Sequence, residues 1–448
     1  MTGMHLASER LTARRPAGTM VAAGVLLIAG YSALLVQFMN WTSFDVWGAL
    51  LVGPVLVAVT LPGLARQAAR EGNSRLLGLF VAALLLKLGA AVAAHFVAFD
   101  VYQGVVDLNR YHNRGLLLAR RFLSGDFSTG METVTGTSFP ILLNGIIYFL
   151  IGPTKLGGFM VHAWFGFLGL FFLYRAFVLA VPEGKVRTYG RLVFFLPSSV
   201  FWSSLMGKDP WMLLGVGIAA YGAARVFSGQ TWRGAVNAGL GIWMTMLIRP
   251  HVGGMLGVAL VAGFLAGRRP ARLGSLAPVA KTLGMLALGV AALFLVGETQ
   301  QYLEKSGIET QKGLSNTLEE ASRGGNFGGS AFAPSIPRSP LQIPGAAFTV
   351  LFRPLPHEVD NLPALIAGVE GSLLIGLTIV RFRWITTALR SVRRQPYVAF
   401  AAAYVGMFVI AFSSMANFGL LVRQRVQMLP LFLVLLSVPP VRREEKAR

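Results

Sequence analysis

The residues best suited to chemistry are cationic side chains at the ends of long apolar runs. Lys208 and Arg249 each lie between two successive runs, Arg353 precedes another, and Arg423 and Arg425 lie within the last one. A charge inside a membrane-spanning helix is costly unless it is paired or faces a wet cavity. Clusters of arginine and lysine bind phosphate or pyrophosphate, and arginine can do so with two parallel hydrogen bonds. If these five cations converge, we expect them to bind a phosphate group.

Carboxylates accompany these cations at a similar predicted level, namely Asp107, Asp209 and Glu358. A carboxylate beside a bound phosphate could take a proton from an acceptor hydroxyl, while the cations stabilise charge on a departing phosphate. Structural interpretations stay open beside this one. Asp107 could only cap a helix, the Lys208–Asp209 pair could form a salt-bridged turn, and the charges could neutralise one another without a ligand. Side chains that could bind or orient substrates are Arg110, Tyr111, His112, His251, His357 and Glu358.

The composition places this chemistry in a membrane. Of 448 residues, 54% are hydrophobic and 13% charged, and the mean hydropathy is +0.61. A soluble domain is about 25% charged, so a soluble globular enzyme is excluded, and the apolar runs exclude a disordered chain. The absence of cysteine excludes disulfides, thiolate metal sites and cysteine nucleophiles. The pattern requires no particular cofactor and leaves a divalent metal as an open alternative.

The apolar runs predict an all-α polytopic membrane protein, a single transmembrane domain over residues 1–448, with about twelve transmembrane helices. A span needs about 20 mostly apolar residues whose backbone groups are satisfied within the helix. The predicted spans lie near residues 18–38, 44–64, 77–98, 157–181, 190–206, 210–228, 234–249, 251–267, 278–297, 361–380, 396–414 and 418–440. Lys87 lies in the middle of the third span. A proton-coupling role for it would favour a transporter, and the alternative is a local ion pair or carbonyl contact.

The charge distribution predicts which side each loop faces. With residues 139–152 left outside the membrane, the loops and tails on one side, together with Arg175 and Arg225 at adjoining helix ends, hold 25 of the 40 basic residues but 5 of the 19 acidic ones. This is the positive-inside asymmetry, so we expect a multi-pass protein of the cell membrane with both termini in the cytoplasm. The formal charge of +21 is then mostly a topology signal, and it gives little support to nucleic acid binding.

Two segments are too long and polar to be simple connections, and both are predicted on the extracytoplasmic side. In residues 99–156, Leu108, Tyr111, Gly115, Leu118 and Phe122 recur at helical spacing, which predicts an amphipathic helix on the membrane surface. The run at 139–152 is predicted to be a second surface-lying helix. In residues 298–360, a helix is predicted around 298–321, followed by a stretch at 323–340 that is rich in glycine and proline. That stretch is expected to be flexible, either as a lid over substrate or as a passive linker.

Several stretches together resemble a known family. The Asp and Tyr-His pair of the first outer segment, the run SFPILLNGIIYFLIGP and the run FFLPSSVFWSSLMGKDPWMLL are similar to the GT-C superfamily of membrane glycosyltransferases. These enzymes use polyprenyl-phosphate-linked sugars, and the similarity is to the bacterial relatives of protein mannosyltransferases. The match is best over residues 99–228. It implies a GT-C-like fold with Asp107 as catalytic base, Asp100 as the weaker candidate for that role, and Asp209 as a second acidic residue.

Our expectation is an integral membrane glycosyltransferase. It would transfer a sugar or glycan from a polyprenyl phosphate or diphosphate carrier to a glycan, lipid or protein acceptor on the extracytoplasmic face. Lys208, Arg249, Arg353, Arg423 and Arg425 would hold the lipid phosphate. The alternatives are a lipid-linked glycan polymerase or ligase, a lipid-linked glycan flippase or other transporter, and a scaffold in an envelope assembly complex.

Overall fold

The computed structural model describes residues 17–101, 106–267, 332–359 and 362–440, and within them the chain forms helices and no strand. This confirms the all-α prediction for the part described. The predicted span at 278–297 and the predicted helix around 298–321 lie outside the described residues, as do residues 323–331 of the stretch rich in glycine and proline.

We number the α-helices along the chain from α1 to α17. Their bounds are α1 Ala17–Trp41, α2 Phe44–Arg70, α3 Arg75–Phe96, α4 Val106–Leu123, α5 Phe139–Ile151, α6 Lys155–Ala180, α7 Val186–Phe195, α8 Pro197–Phe201, α9 Lys208–Phe227, α10 Thr231–Met246, α11 Pro250–Ala266, α12 Ile343–Phe352, α13 Leu362–Val380, α14 Phe382–Ser391, α15 Pro396–Phe412, α16 Phe418–Arg425 and α17 Leu429–Leu435.

Among the described residues, five helices are long and apolar enough to cross a membrane, and counting two bent pairs raises the number to seven. The five are α1, α2, α3 with the π-helical turn Val97–Val101 that follows it, α6 and α9. The bent pairs are α13 with α14, at 68°, and α16 with α17, at 61°. Helices α5, α11 and α15 are apolar but shorter. Membrane-protein character is therefore supported, and the number twelve stays a prediction.

The predicted span at 190–206 is interrupted in the structure. Helix α7 ends at Phe195, Pro197 begins the five-residue α8, and a 3-10 turn at Trp202–Ser204 precedes α9. Proline has no N–H and cannot continue the hydrogen-bond ladder of a helix. Irregular backbone at membrane depth is tolerated where it is buried in protein, and Ser198, Ser199, Ser203 and Ser204 are all buried. The chain therefore enters α9 through a break rather than through a continuous span.

Two charged side chains satisfy the backbone of this break. The Lys87 ammonium in α3 donates hydrogen bonds to the carbonyl oxygens of Ser199, at 2.6 Å, and Val200, at 2.9 Å. A carboxylate oxygen of Glu370 in α13 accepts from the Ser198 N–H at 2.6 Å. For Lys87 this is the carbonyl contact that the sequence left open beside proton coupling. The break is therefore braced from two neighbouring helices before the chain reaches Lys208.

Candidate functional site

The first turn of α9 is the centre of the candidate site. Gly207 precedes it with φ +143°, a conformation that favours glycine, and a Cβ there would lie 3.1 Å from the Tyr111 ring. Lys208 and Asp209 are the first two residues of the helix. The N–H groups at a helix N-terminus have no partner within the helix, so this end carries partial positive charge. Helix α11 likewise begins at Pro250, directly after Arg249.

Two arginines converge on the buried carboxylate of Asp209. Its side chain is 1% exposed, one oxygen accepts a hydrogen bond from Nε of Arg423, and the other lies 3.9 Å from Nη1 of Arg249. Nη1 of Arg249 also donates to the Gln424 side chain, whose oxygen accepts from Nε2 of Gln427 at 3.0 Å. Asp209 thus joins α9 to the start of α11 and to α16.

Helix α4 closes the site from the side of the first outer segment. The five residues predicted to share its apolar face are all buried, and Gly115 lies so close to α5 that an added Cβ would approach Asn144 Cβ to 2.6 Å. The loop after α4 is tied to the α10–α11 turn by the Gly136 N–H, which donates to the Leu247 carbonyl at 2.8 Å. This packing brings α4 against the residues that precede α9 and α11.

The Tyr111 hydroxyl lies within the electrostatic range of both Asp107 and the Asp209–Arg423 pair. Burial raises the pKa of the Tyr111 hydroxyl to about 12, the negative charges of Asp107 and Asp209 add to this, and the positive charge of Arg423 opposes it. The Tyr111 oxygen is buried and has no hydrogen-bond partner among the described residues. Asp107 itself is exposed at the start of α4. A buried hydroxyl and an exposed carboxylate thus lie within electrostatic range of one cationic centre.

Lys208 differs from the two arginines because its ammonium has no acceptor within hydrogen-bond or ion-pair distance in the described part of the chain. Its side chain is half-buried, and its charge interacts with those of Arg249, Asp107, Arg423 and Asp209. We use the name Asp209 cluster for the set Asp107, Tyr111, Lys208, Asp209, Arg249 and Arg423. Three of its members are cations and two are carboxylates, the buried Asp209 and the exposed Asp107, so the cluster keeps a net excess of one positive charge.

Arg425 does not share this arrangement, although it lies two residues from Arg423. It is fully buried, and Nη1 donates to the carbonyl oxygens of Leu351, at 2.9 Å, and Arg353, at 3.0 Å. Residues two apart on a helix point in different directions. The Arg425 side chain therefore anchors the end of α12, and its predicted phosphate contact stays a prediction.

Arg353 and Glu358 form a separate ion pair. Nη2 of Arg353 lies 2.6 Å from Glu358 Oε1, and Nε donates to the same oxygen at 2.8 Å. The Arg353 guanidinium also lies over the rings of Phe332 and Phe418, at 4.8 and 5.1 Å from their centres. Burial alone would raise the pKa of Glu358, but the hydrogen bonds from Arg353 and from the Leu355 N–H outweigh it and keep that pKa low. Both charges are therefore compensated within this pair.

Of the remaining predicted residues, His112 lies outside the Asp209 cluster. Nδ1 of His112 lies 2.8 Å from the Tyr148 hydroxyl, and the charges that act on the imidazole are those of Lys155, Asp45 and His95 rather than those of the Asp209 cluster. Burial, followed by the Lys155 charge, lowers the pKa of His112 to about 4. His251 lies in the first turn of α11 beside Arg249, and Arg110 and His357 are exposed.

Two residues of this region were not among the sequence candidates. Glu370 is 1% exposed in α13, and its charge acts on Arg425. It is the one acidic residue of the apolar stretch LPALIAGVEGSLLIGLTIV, and an ionisable residue within a membrane segment marks a functional or structural partner. That signal could have identified it. Gln424, which contacts Arg249, carries no comparable signal because an uncharged amide is common at helix ends.

No group of three or more histidine, cysteine, aspartate or glutamate residues that could hold a metal ion occurs among the residues described. The Asp209 cluster instead offers cations, two helix N-termini and a nearby exposed carboxylate. Such a site can bind a phosphate group and place a base beside it. The chain matches no family model, no curated protein and no solved structure.

Proposed function

We propose that this protein is an integral membrane glycosyltransferase that uses a polyprenyl-phosphate-linked or polyprenyl-diphosphate-linked donor on the extracytoplasmic side. The observation that carries the proposal is the excess positive charge of the Asp209 cluster, with Lys208 left without an acceptor among the described residues. A partly buried excess of charge is costly without a counterion. The phosphate of a lipid carrier is an anion that could reach such a site from within the membrane.

In this proposal the cations divide the work. Lys208 contacts the donor phosphate directly, and Arg249, which donates to the Gln424 side chain and lies at ion-pair distance from Asp209, adds positive charge beside it. Arg423 stays hydrogen-bonded to Asp209. Asp209 therefore acts as a positioning residue for the two arginines rather than as a second base, because 1% exposure leaves no room for a substrate hydroxyl.

The chemical step follows from this placement. The oxygen of an acceptor hydroxyl forms a bond to the anomeric carbon of the donor sugar, while the bond from that carbon to the phosphate oxygen breaks. The hydroxyl proton passes to the exposed carboxylate of Asp107. The carrier phosphate leaves with the bonding electron pair, and its added negative charge is stabilised by Lys208 and the arginines. The twelve-helix topology, the GT-C-like fold and the cytoplasmic position of both termini belong to the same proposal.

The test is sugar transfer by the purified protein in lipid nanodiscs, with radiolabelled polyprenyl phosphate and diphosphate sugars as donors. We expect Asp107→Asn to lower transfer about 100-fold or more, which is the usual effect of removing a general base, with donor binding retained. Asp126→Asn is the matched control because Asp126 is an exposed carboxylate just after the same helix. Asp100→Asn tests the weaker candidate for the base.

Three results would overturn the proposal. Full transfer activity in a folded Asp107→Asn protein removes the assigned base. Movement of labelled lipid across the membrane with no new glycosidic bond identifies a transporter. Unchanged cellular function after neutralisation of both Arg249 and Arg423 identifies a scaffold. A product in which the acceptor is itself a lipid-linked glycan would refine the proposal to a polymerase.

A further inference from the structure

Helix α14 is bent sharply away from the axis of the preceding helix, α13. The chain bends by 68° between α13 and α14, and the residue at the bend is Arg381. Its Nη1 donates to the Leu436 carbonyl at 2.9 Å, and its guanidinium lies over the Trp384 ring at 4.5 Å. These two contacts hold the bend. If α13 crosses the membrane, α14 is steeply inclined to that span at the point where the span ends.

The side chains of α14 are divided between two sides. Phe382, Ile385 and Leu389 follow one another at helical spacing. Phe382 and Leu389 are 62% and 47% exposed, and Ile385 is half-buried against the core. Arg383 and Arg390 are seven residues apart, so they share the neighbouring side, and both are exposed. An exposed apolar stripe beside an exposed basic stripe is typical of a helix at the boundary between lipid headgroups and acyl chains.

Further arginines surround this helix. Arg393 and Arg394 follow α14, and Arg187 and Arg191 lie on α7. Helices α7 and α14 meet at the end of α17. The N–H of Lys185, the residue before α7, donates to the Ser437 carbonyl at 2.9 Å, and Arg381 contacts the neighbouring Leu436 carbonyl. We define the basic rim as Arg187, Arg191, Arg383, Arg390, Arg393 and Arg394. All six are exposed, and in the described ranges no carboxylate lies within ion-pair distance of any of them.

We propose that α14 and the basic rim form a binding surface for anionic phospholipids of the leaflet in which α13 ends. The apolar stripe of α14 would enter the headgroup boundary, and the arginines would contact lipid phosphates, with which they can form two hydrogen bonds each. Charge complementarity identifies the occupant, because a zwitterionic surface would leave these six cations without counterions. This site is separate from the Asp209 cluster and does not depend on the proposed transferase activity.

The experiment uses Trp384 as the reporter. The full chain is placed in nanodiscs that contain either phosphatidylglycerol or phosphatidylcholine with brominated acyl chains, at equal mole fraction. The fluorescence signal of Trp384 is obtained by subtracting that of the Trp384→Phe protein. We expect brominated phosphatidylglycerol to quench Trp384 more strongly than brominated phosphatidylcholine, and we expect high salt to remove the difference.

The variants decide whether the rim causes this preference. The double change Arg383→Gln with Arg390→Gln should reduce the preference for phosphatidylglycerol by up to about fivefold per arginine, with the melting temperature unchanged because both side chains are exposed. Arg393→Gln with Arg394→Gln is a second, independent pair. The matched control is Arg120→Gln with Arg121→Gln, two exposed arginines at the end of α4, which should leave the preference intact.

Several outcomes would refute this assignment. Equal quenching by the two lipids shows that the surface does not distinguish their charge. If the preference for phosphatidylglycerol persists in both rim variants, another part of the protein causes it. Absence of quenching by either lipid shows that α14 does not contact the bilayer, and the basic rim would then fit an acidic protein surface instead.

Discussion

Replacement of Asp209 by asparagine tests the arrangement on which the site depends. Asparagine has nearly the same shape, but it is neutral and places an NH2 group where an oxygen now accepts from Arg423. Removal of one partner from a buried ion pair costs about 3–5 kcal/mol. Arg249 and Arg423 are 18% and 17% exposed, so water compensates part of the loss. We therefore expect the free energy of unfolding to fall by about 3 kcal/mol.

This energy translates into a measurable shift in melting temperature. An unfolding entropy on the order of 2 cal/mol/K per residue gives roughly 0.9 kcal/mol/K for 448 residues. A loss of about 3 kcal/mol then lowers the melting temperature by about 3 °C. Membrane helices unfold less completely than soluble ones, so this entropy is an upper limit and the temperature shift is a lower limit.

Tryptophan fluorescence during heating in detergent measures the shift. Trp211, one of the eight tryptophans, lies two residues from Asp209, and its indole N–H donates to the Met244 carbonyl at 3.0 Å, so its share of the signal reports on this region. Asp107→Asn is the comparison, because an exposed side chain should change stability by less than about 0.5 kcal/mol. A melting temperature for Asp209→Asn equal to that of the original protein would refute the buried ion pair, as would equal destabilisation by Asp107→Asn.

Three further changes test the surroundings of the site. Gly207→Ala should lower the free energy of unfolding by about 1–3 kcal/mol, because φ is +143°. Donor affinity, measured in a binding titration, should fall as well. Unchanged affinity would show that this turn is not part of the site. The pKa of His112 is lowered to about 4 from 6.5, so the unfolded chain binds the extra proton first and stability should fall as pH drops from 6.5 to about 4. His112→Gln should flatten the dependence of the melting temperature on pH between 6.5 and about 4. An unaltered slope would contradict the lowered pKa of His112. Glu370→Gln removes the charged acceptor of the Ser198 N–H and should lower stability by about 1–3 kcal/mol, whereas Glu132→Gln at an exposed position should be neutral. Equal melting temperatures for the two variants would count against a bracing role of Glu370.

Hydropathy and helical spacing were sufficient for the local elements. Composition alone indicated membrane helices, and the spacing of Leu108, Tyr111, Gly115, Leu118 and Phe122 predicted a helix with one apolar face. These residues lie on α4 and are buried, with Gly115 packed against the neighbouring helix α5. These signals are local because each depends on the residues of one helix. The break before α9 was harder to predict from the sequence. The apolar run continues through Pro197, although a proline cannot continue the hydrogen bonds of the helix.

The meeting of distant side chains was decided by tertiary structure. Charge patterns along a chain predict at which end of a span a residue lies, but they contain no information on lateral position within the membrane. Asp107 and Arg423 lie on helices far apart in sequence, and only the packing of α4, α9, α11 and α16 brings their charges onto one tyrosine. The same packing separates Arg425 from Arg423, because helix geometry directs their side chains to different neighbours. The sequence by itself thus determined a membrane protein rich in cations at its helix ends, and only the fold decided which cations share a site.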